Sequence, residues 1–229
     1  MKKLLLFDID GTLLMSEGAT RKAISRTFQE LFRVSQSIDA INVIGATDRG
    51  IFKNAAILLL GRKLSGKELK GVEKCYLELL PGELAAARFH LKPGVKKLLP
   101  LLAARREILL GVETGNLETG AYMKLKRGHI MQYFKFGGFG SDSENRTEII
   151  RKAIDRAEKL NKGPVEPEGI YVIGDSPNDI IAGREAGAVT IAVGTGLLPQ
   201  ETVLAAKPDH FLNDLTEIPA FLRCVNCET

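Results

Sequence analysis

Four short apolar runs, at residues 4–7, 108–112, 171–173 and 189–193, each close on a turn residue and lead into a stretch with helical periodicity. Runs this short, rich in Leu, Ile and Val and lacking polar alternation, suit strands buried on both faces, which is the condition of a parallel sheet. Amphipathic stretches at 117–126, 147–160 and 178–186 supply the crossover helices that parallel strands need. The pattern predicts an α/β fold with a doubly wound, Rossmann-like parallel sheet. It breaks once, between the first run and the second. Residues 18–33, 48–60 and 67–80 read as helices there with no convincing strand run among them, so a smaller all-helical unit is expected to be inserted after the first strand. Its expected span is 15–89, with hinges near Gly18 and Gly94, leaving 1–14 and 90–229 as the α/β core.

The chemistry-bearing residues fall where these strands end. The first run leads into Asp8-Ile9-Asp10-Gly11-Thr12, and alternation along a strand turns Asp8 and Asp10 to the same side, about 7 Å apart. Ligands of open parallel sheets bind outside the carboxyl ends of the strands, so this pair sits where a ligand would; a simple Asp-Gly turn is the alternative. The second run leads into Glu113-Thr114-Gly115-Asn116 ahead of a helix, where a hydroxyl and successive N–H groups suit a phosphate and where Asn116, taken alone, reads first as a helix cap. The third leads into Gly174-Asp175-Ser176-Pro177-Asn178-Asp179. Capping accounts for Ser176, Pro177 and Asp179, but leaves Asp175 unexplained. Carboxylates grouped in this way suit a hard oxygen-seeking cation, magnesium rather than zinc.

Other classes lack support. The chain has 229 residues, 45% apolar and 26% charged, which is enough for an ordinary globular core. Its net charge of +4 is spread without a basic block, which argues against nucleic acid and suits a small anionic substrate. No apolar run approaches the roughly 18 residues of a membrane span, and the run at 4–7 is cut by Asp8, so neither a span nor a secretory signal is expected. Three cysteines, with Cys75 far from Cys224 and Cys227, point to a reducing, cytoplasmic setting. The lone Cys224–Cys227 pair reads as free thiols, since zinc would need two further ligands. Residues 61–67 spell GxxxxGK, but Glu68 follows where a Ser or Thr should bind magnesium. His90, His129 and His210 are scattered, and no GxSxG elbow exists.

The order Asp-x-Asp-Gly-Thr, then Thr-Gly-Asn, then a basic residue, then Gly-Asp-x-x-x-Asp resembles the haloacid dehalogenase superfamily over nearly the whole core. The insertion resembles that superfamily's helical cap. Residues 44–49, 114–120 and 137–146 look like the phosphoglycolate phosphatase type. The resemblance implies a magnesium-dependent phosphatase for a small soluble phosphomonoester, acting as a monomer or homodimer. Asp8 would attack phosphorus to give an aspartyl phosphate, and Asp10 would protonate the leaving oxygen and then activate water. It implies magnesium held by Asp8, the Asp10 main-chain carbonyl and Asp175, with Asp179 orienting the cluster. Thr114, Gly115 and Asn116 would hold the transferring oxygens. A dehalogenase, a sugar-phosphate mutase and a phospho-accepting regulatory domain use related cores.

The third motif departs from the superfamily's pattern, which places a Lys before the last acidic motif. Arg146 stands at the matching place and is the expected contact to the phosphate, with Lys124 the other candidate. Glu113 is odd beside a phosphate-binding Thr, and alternation should turn it to the opposite face. In the insertion, residues 45–50 form a polar loop opening a helix: Thr47 or Asp48 could be its cap, and Arg49 is the expected contact to the substrate's leaving group.

Overall fold

The computed structural model describes residues 2–41 and 43–227. Six parallel strands form the main sheet, which runs from edge to edge through residues 137–139, 108–114, 3–7, 170–174, 189–193 and 210–212. In chain order these are β1 (Lys3–Phe7), β4 (Ile108–Thr114), β5 (Gly137–Phe139), β6 (Ile170–Gly174), β7 (Val189–Val193) and β8 (His210–Leu212). The four apolar runs are all strands of this sheet, as expected. The order runs outward from β1 in both directions, so the sheet is doubly wound and β1 lies between β4 and β6. Register places Phe7 beside Val112 on one side and Ile173 on the other, so the residues after all three strands emerge at one rim.

Alternation along β1 fills both faces. Leu5 and Phe7 enter a core with α4 (Val95–Ala103), α5 (Glu118–Arg127) and α9 (Ile218–Cys224). Leu4 and Leu6 face α6 (Arg146–Asn161) and α7 (Pro177–Glu185). A strand buried on both faces cannot alternate polar with apolar residues, which is why these runs read so plainly.

Between β1 and β4 lie α1 (Ala19–Phe32), α2 (Asp48–Leu60) and α3 (Gly66–Ala86), packed around their own core of Phe28, Phe52, Tyr76 and Leu80. The Phe52 and Tyr76 rings meet edge to face at 5.2 Å. Helix α3 runs past Pro81, where the sequence pattern suggested a stop, and loses a main-chain bond there. The GxxxxGK lookalike is the turn from α2 to α3: Gly61 ends α2 at φ 67°, and Ser65 with Glu68 forms a reciprocal cap on α3.

The segment is not all helical. The chain leaves the sheet through β2 (Leu14–Ser16) and returns through β3 (Phe89–Leu91), and these pair antiparallel with Leu14 opposite Leu91. Three-residue strands carry too few positions to show a period. Strand β5 escaped for another reason, its two glycines. A Cβ on Gly138 would lie 1.9 Å from the Ile149 carbonyl, so the strand is stripped of side chains where α6 crosses it.

Candidate active site

The rim of the sheet and the ends of α1 and α2 enclose a cavity of about 220 Å³. From the sheet it is lined by Asp8, Asp10, Thr114, Gly115, Asn116, Arg146, Asp175 and Ser176; from the helical segment by Thr20, Arg21, Gly45, Asp48 and Ile51 among others. Every expected site residue except Arg49 and Asp179 therefore reaches one space.

Asp8 continues β1 and is anchored by its N–H, which donates to the Ile173 carbonyl at 2.9 Å. Gly11 turns the chain at φ 97°, and a Cβ there would meet Asp175 Oδ2 at 2.4 Å. The Asp175 carboxylate is thus roofed directly by main chain, and Thr12 Oγ1 donates to its Oδ1 at 3.0 Å. Asp179 sits behind it, in the first turn of α7. The Asp179 Oδ2 accepts from the Ser176 N–H and hydroxyl at 3.0 and 2.8 Å, the capping expected from sequence. Its other oxygen does more, accepting from Arg146 Nη2 at 2.5 Å.

Oxygens of Asp8, Asp175 and Asp179 lie within 4.8 Å of one another, all on buried residues. Burial pushes the Asp8 carboxyl well above its ordinary range, with Arg146 opposing and the neighbouring acids adding to it. Burial and the Asp179 charge likewise raise Asp175 to about 7. Five acidic side chains, Asp8, Asp10, Glu113, Asp175 and Asp179, face two cations, Arg146 and Lys124. An all-oxygen donor set carrying surplus buried negative charge fits a hard divalent ion.

Both candidate bases are present, with different partners. Lys124, fully buried on α5, donates to Asp10 Oδ2 at 2.5 Å and to Asn116 Oδ1 at 3.0 Å. Arg146, the first residue of α6, reaches Asp8 Oδ1 at 2.7 Å through Nη2. Burial opposes the charge on Arg146, but the carboxylates of Glu113, Asp179 and Asp8 hold it protonated well above its usual range. It is therefore not a solvated charge at a helix start.

Two sequence expectations change, and a third holds with an added partner. Asn116 does not cap α5, whose N-cap is Leu117; its side chain instead holds Lys124. Glu113 does stay out of the cavity, yet it is fully buried beneath it with Oε2 2.8 Å from Arg146 Nε. Arg49 is absent from the cavity wall. Its Nε donates to Glu73 at 2.6 Å and its Nη1 to the Ser141 carbonyl at 3.0 Å, because the position after Asp48 on α2 faces α3. Thr47 caps that helix, accepting from Gly50 N at 3.1 Å.

Two charged lining residues were not foreseen. Arg21, on the first turn of α1, is the cation that the helical segment supplies to the cavity, with Nη1 donating to the Ile38 carbonyl at 2.7 Å. Asp48 is 1% exposed and bridges the two halves: its N–H donates to the Gly115 carbonyl and its Oδ2 accepts from the Leu117 N–H, both at 2.8 Å. Burial lifts its carboxyl to about 6. Asp48 carried a signal as a capping candidate, whereas nothing in the pattern around Arg21 separates it from a surface helix charge. All three cysteines are free, and among the described residues no helix is long and apolar enough to cross a membrane.

The sequence profile of the haloacid dehalogenase-like hydrolases matches residues 5–193. The chain is 26% identical to a phosphoglycolate phosphatase of Vibrio vulnificus over 94% of each chain. It is 22% identical to the pyrophosphatase PpaX of Bacillus mycoides, covering 96% of this chain and 97% of that one. Among solved structures, CbbY from Rhodobacter sphaeroides in complex with phosphate superposes with a TM-score of 0.77 at 21% identity, over 95% of this chain and 96% of that one.

Proposed function

Because the chain belongs to the haloacid dehalogenase-like hydrolases, we propose that it is a magnesium-dependent phosphatase that cleaves a small phosphomonoester through an aspartyl phosphate on Asp8. The observation that carries the reading is the convergence of Asp8, Asp10, Asp175, Thr114 and Arg146 on one small cavity at the sheet rim. Its volume of about 220 Å³ leaves space for a phosphate and a few more heavy atoms, below the roughly 300 Å³ where drug-sized sites begin. A phosphoglycolate phosphatase among the relatives, with this coverage, supports a small substrate.

Arg146 holds one oxygen of Asp8, so the other is presented to phosphorus. The hydroxyl of Thr114, which accepts from Asn116 N at 3.2 Å, lies with the Gly115 and Asn116 main chain where the transferring oxygens would rest. Asp10, oriented by Lys124, gives a proton to the departing oxygen and later takes one from water. Magnesium bound by Asp8, the Asp10 main-chain carbonyl and Asp175, with Asp179 orienting the cluster from behind, would offset the charge of nucleophile and phosphate.

Residues 15–89 act as a cap over the rim, with the β2 and β3 pair as the hinge, excluding water when closed. Free thiols suit a reducing, cytoplasmic setting, and the enzyme works alone or as a homodimer. The leaving group is read by Arg21 rather than Arg49, and a carboxylated or otherwise anionic leaving group suits its guanidinium. The test is phosphate release from a panel of small phosphate esters with and without magnesium. Arg21→Ala should lose about 10- to 100-fold in kcat/KM on the best anionic ester, the worth of one charge-assisted contact, and far less on an uncharged aryl phosphate. Arg49→Ala should lose equally little on both. Turnover in excess chelator would refute the function, and equal losses for Arg21→Ala on both substrates would refute its role.

A further inference from the structure

Glu113 has no place in the chemistry above, and it is an expensive group to keep. It is fully buried, and neither of its oxygens makes a well-formed hydrogen bond. Among the described residues its one ionic partner is Arg146, whose Nε lies 2.8 Å from Oε2. Burial pushes the Glu113 carboxyl up, and the Arg146 guanidinium opposes that. A carboxylate next to Thr114 would also repel a phosphate dianion unless a cation stood between them.

The geometry explains what holds Arg146 in place. Strand alternation turns Glu113 to the face covered by α6, whose first residue is Arg146. The guanidinium must therefore pass Glu113 to reach the rim. Its three nitrogens then divide the work: Nε faces Glu113, Nη2 bridges Asp8 at 2.7 Å and Asp179 at 2.5 Å, and Nη1 makes no bond to the described residues of a side chain that lines the cavity.

We propose that Glu113 is a positioning residue that pins the Nε edge of Arg146, so that Nη2 locks the nucleophile and Nη1 is left for the phosphate. This rests on the reading of Arg146 as a phosphate contact. It also explains why this chain has a buried acid there and an arginine where a lysine would be usual. An ammonium is a single point and cannot serve Glu113 and Asp8 from two separate nitrogens, whereas a planar fork can. The two residues form one device, and Arg146→Lys is not a conservative change while Glu113 remains.

The experiment is a double-mutant cycle on the full chain in magnesium buffer. It reads kcat, KM, the inhibition constant of inorganic phosphate and the melting temperature. Glu113→Gln keeps a neutral acceptor for Nε and should lose less than about fivefold in kcat; Glu113→Met removes it and should lose about 10- to 100-fold. Arg146→Lys should lose about 100-fold in the parent but only about tenfold beside Glu113→Gln, a coupling expected for two groups in direct contact. The affinity for phosphate should weaken in step with kcat. If Glu113→Met changes only the melting temperature, or if it does not fold and the Gln and Lys changes prove additive, the proposal is overturned. If Arg146→Ala leaves kcat and phosphate inhibition unchanged, the reading of Arg146 itself has failed.

Discussion

Lys124 offers a sharp test of how the site divides its labour, because among the described residues its side chain bonds to Asp10 and Asn116 alone and is 1% exposed. Lys124→Met keeps the length and apolar stem of the side chain while deleting the ammonium. A charge-assisted bond contributes about 1.5–3 kcal/mol and a neutral one about 0.5–1.5. The Asp10 side chain is 35% exposed and recovers part of its loss from water, which brings the expected destabilisation to about 2 kcal/mol. For a chain of this size that is a fall of roughly 4–8 °C in Tm. The effect on catalysis should exceed what stability explains, since an Asp10 without its orienting partner should lose about 10- to 100-fold in kcat. The assay compares an alkyl phosphate, whose leaving oxygen needs a proton, with a nitrophenyl phosphate, whose leaving oxygen hardly does. The alkyl ester should suffer far more. Equal losses would mean that Lys124 acts on the phosphate and not through Asp10, and unchanged kinetics with unchanged Tm would mean that Lys124 neither orients Asp10 nor supports the fold.

Asp10→Asn removes the proton carrier while leaving the main-chain carbonyl in place, and should lower kcat by about two to four powers of ten without weakening magnesium binding measured by calorimetry. Parent-like turnover would show that Asp10 has another role. Asp48 should make the protein sensitive to pH. A carboxyl raised from 3.8 to about 6 by burial disfavours the folded state as it ionises, so its contribution is intact below about pH 4 and lost as the pH climbs through 6. Asp48→Asn, which keeps an acceptor for Leu117, should therefore be more stable than the parent by at most roughly 3 kcal/mol at pH 8 and by almost nothing at pH 4. Urea unfolding at the two pH values measures this, and an equal difference at both would contradict the assignment.

The sheet was legible because burial on both faces leaves a strand few polar positions, so β1, β4, β6 and β7 stand out as largely apolar runs that end at the cavity rim. Asp8, Asp10, Thr114 and Asp175 were legible for the same reason, since a strand end fixes where a side chain goes. What failed depended on contacts between distant segments. Nothing local marks Leu14–Ser16 and Phe89–Leu91 as strands, because each exists only through the other. Asn116 had the composition and place of a cap, but a buried ammonium nearby competes for its oxygen. Arg49 and Arg21 are both helix-start arginines, and only tertiary packing turns one to Glu73 on α3 and the other to the Ile38 carbonyl at the cavity. Alternation correctly turned Glu113 away from the cavity, and could not show that Arg146, at the start of α6, would meet it there.

The central claim is that phosphate passes through a covalent bond to Asp8. Asp10→Asn, which should slow hydrolysis of the acyl phosphate more than its formation, is mixed with an activated phosphate ester and magnesium, quenched in acid within the first turnover, and digested for peptide mass mapping. One phosphoryl group is expected on the peptide containing Asp8, absent when chelator is present and absent when Asp8→Asn is added to the same chain. Turnover by Asp8→Asn alone, or a phosphoryl group on any other peptide, would contradict that claim.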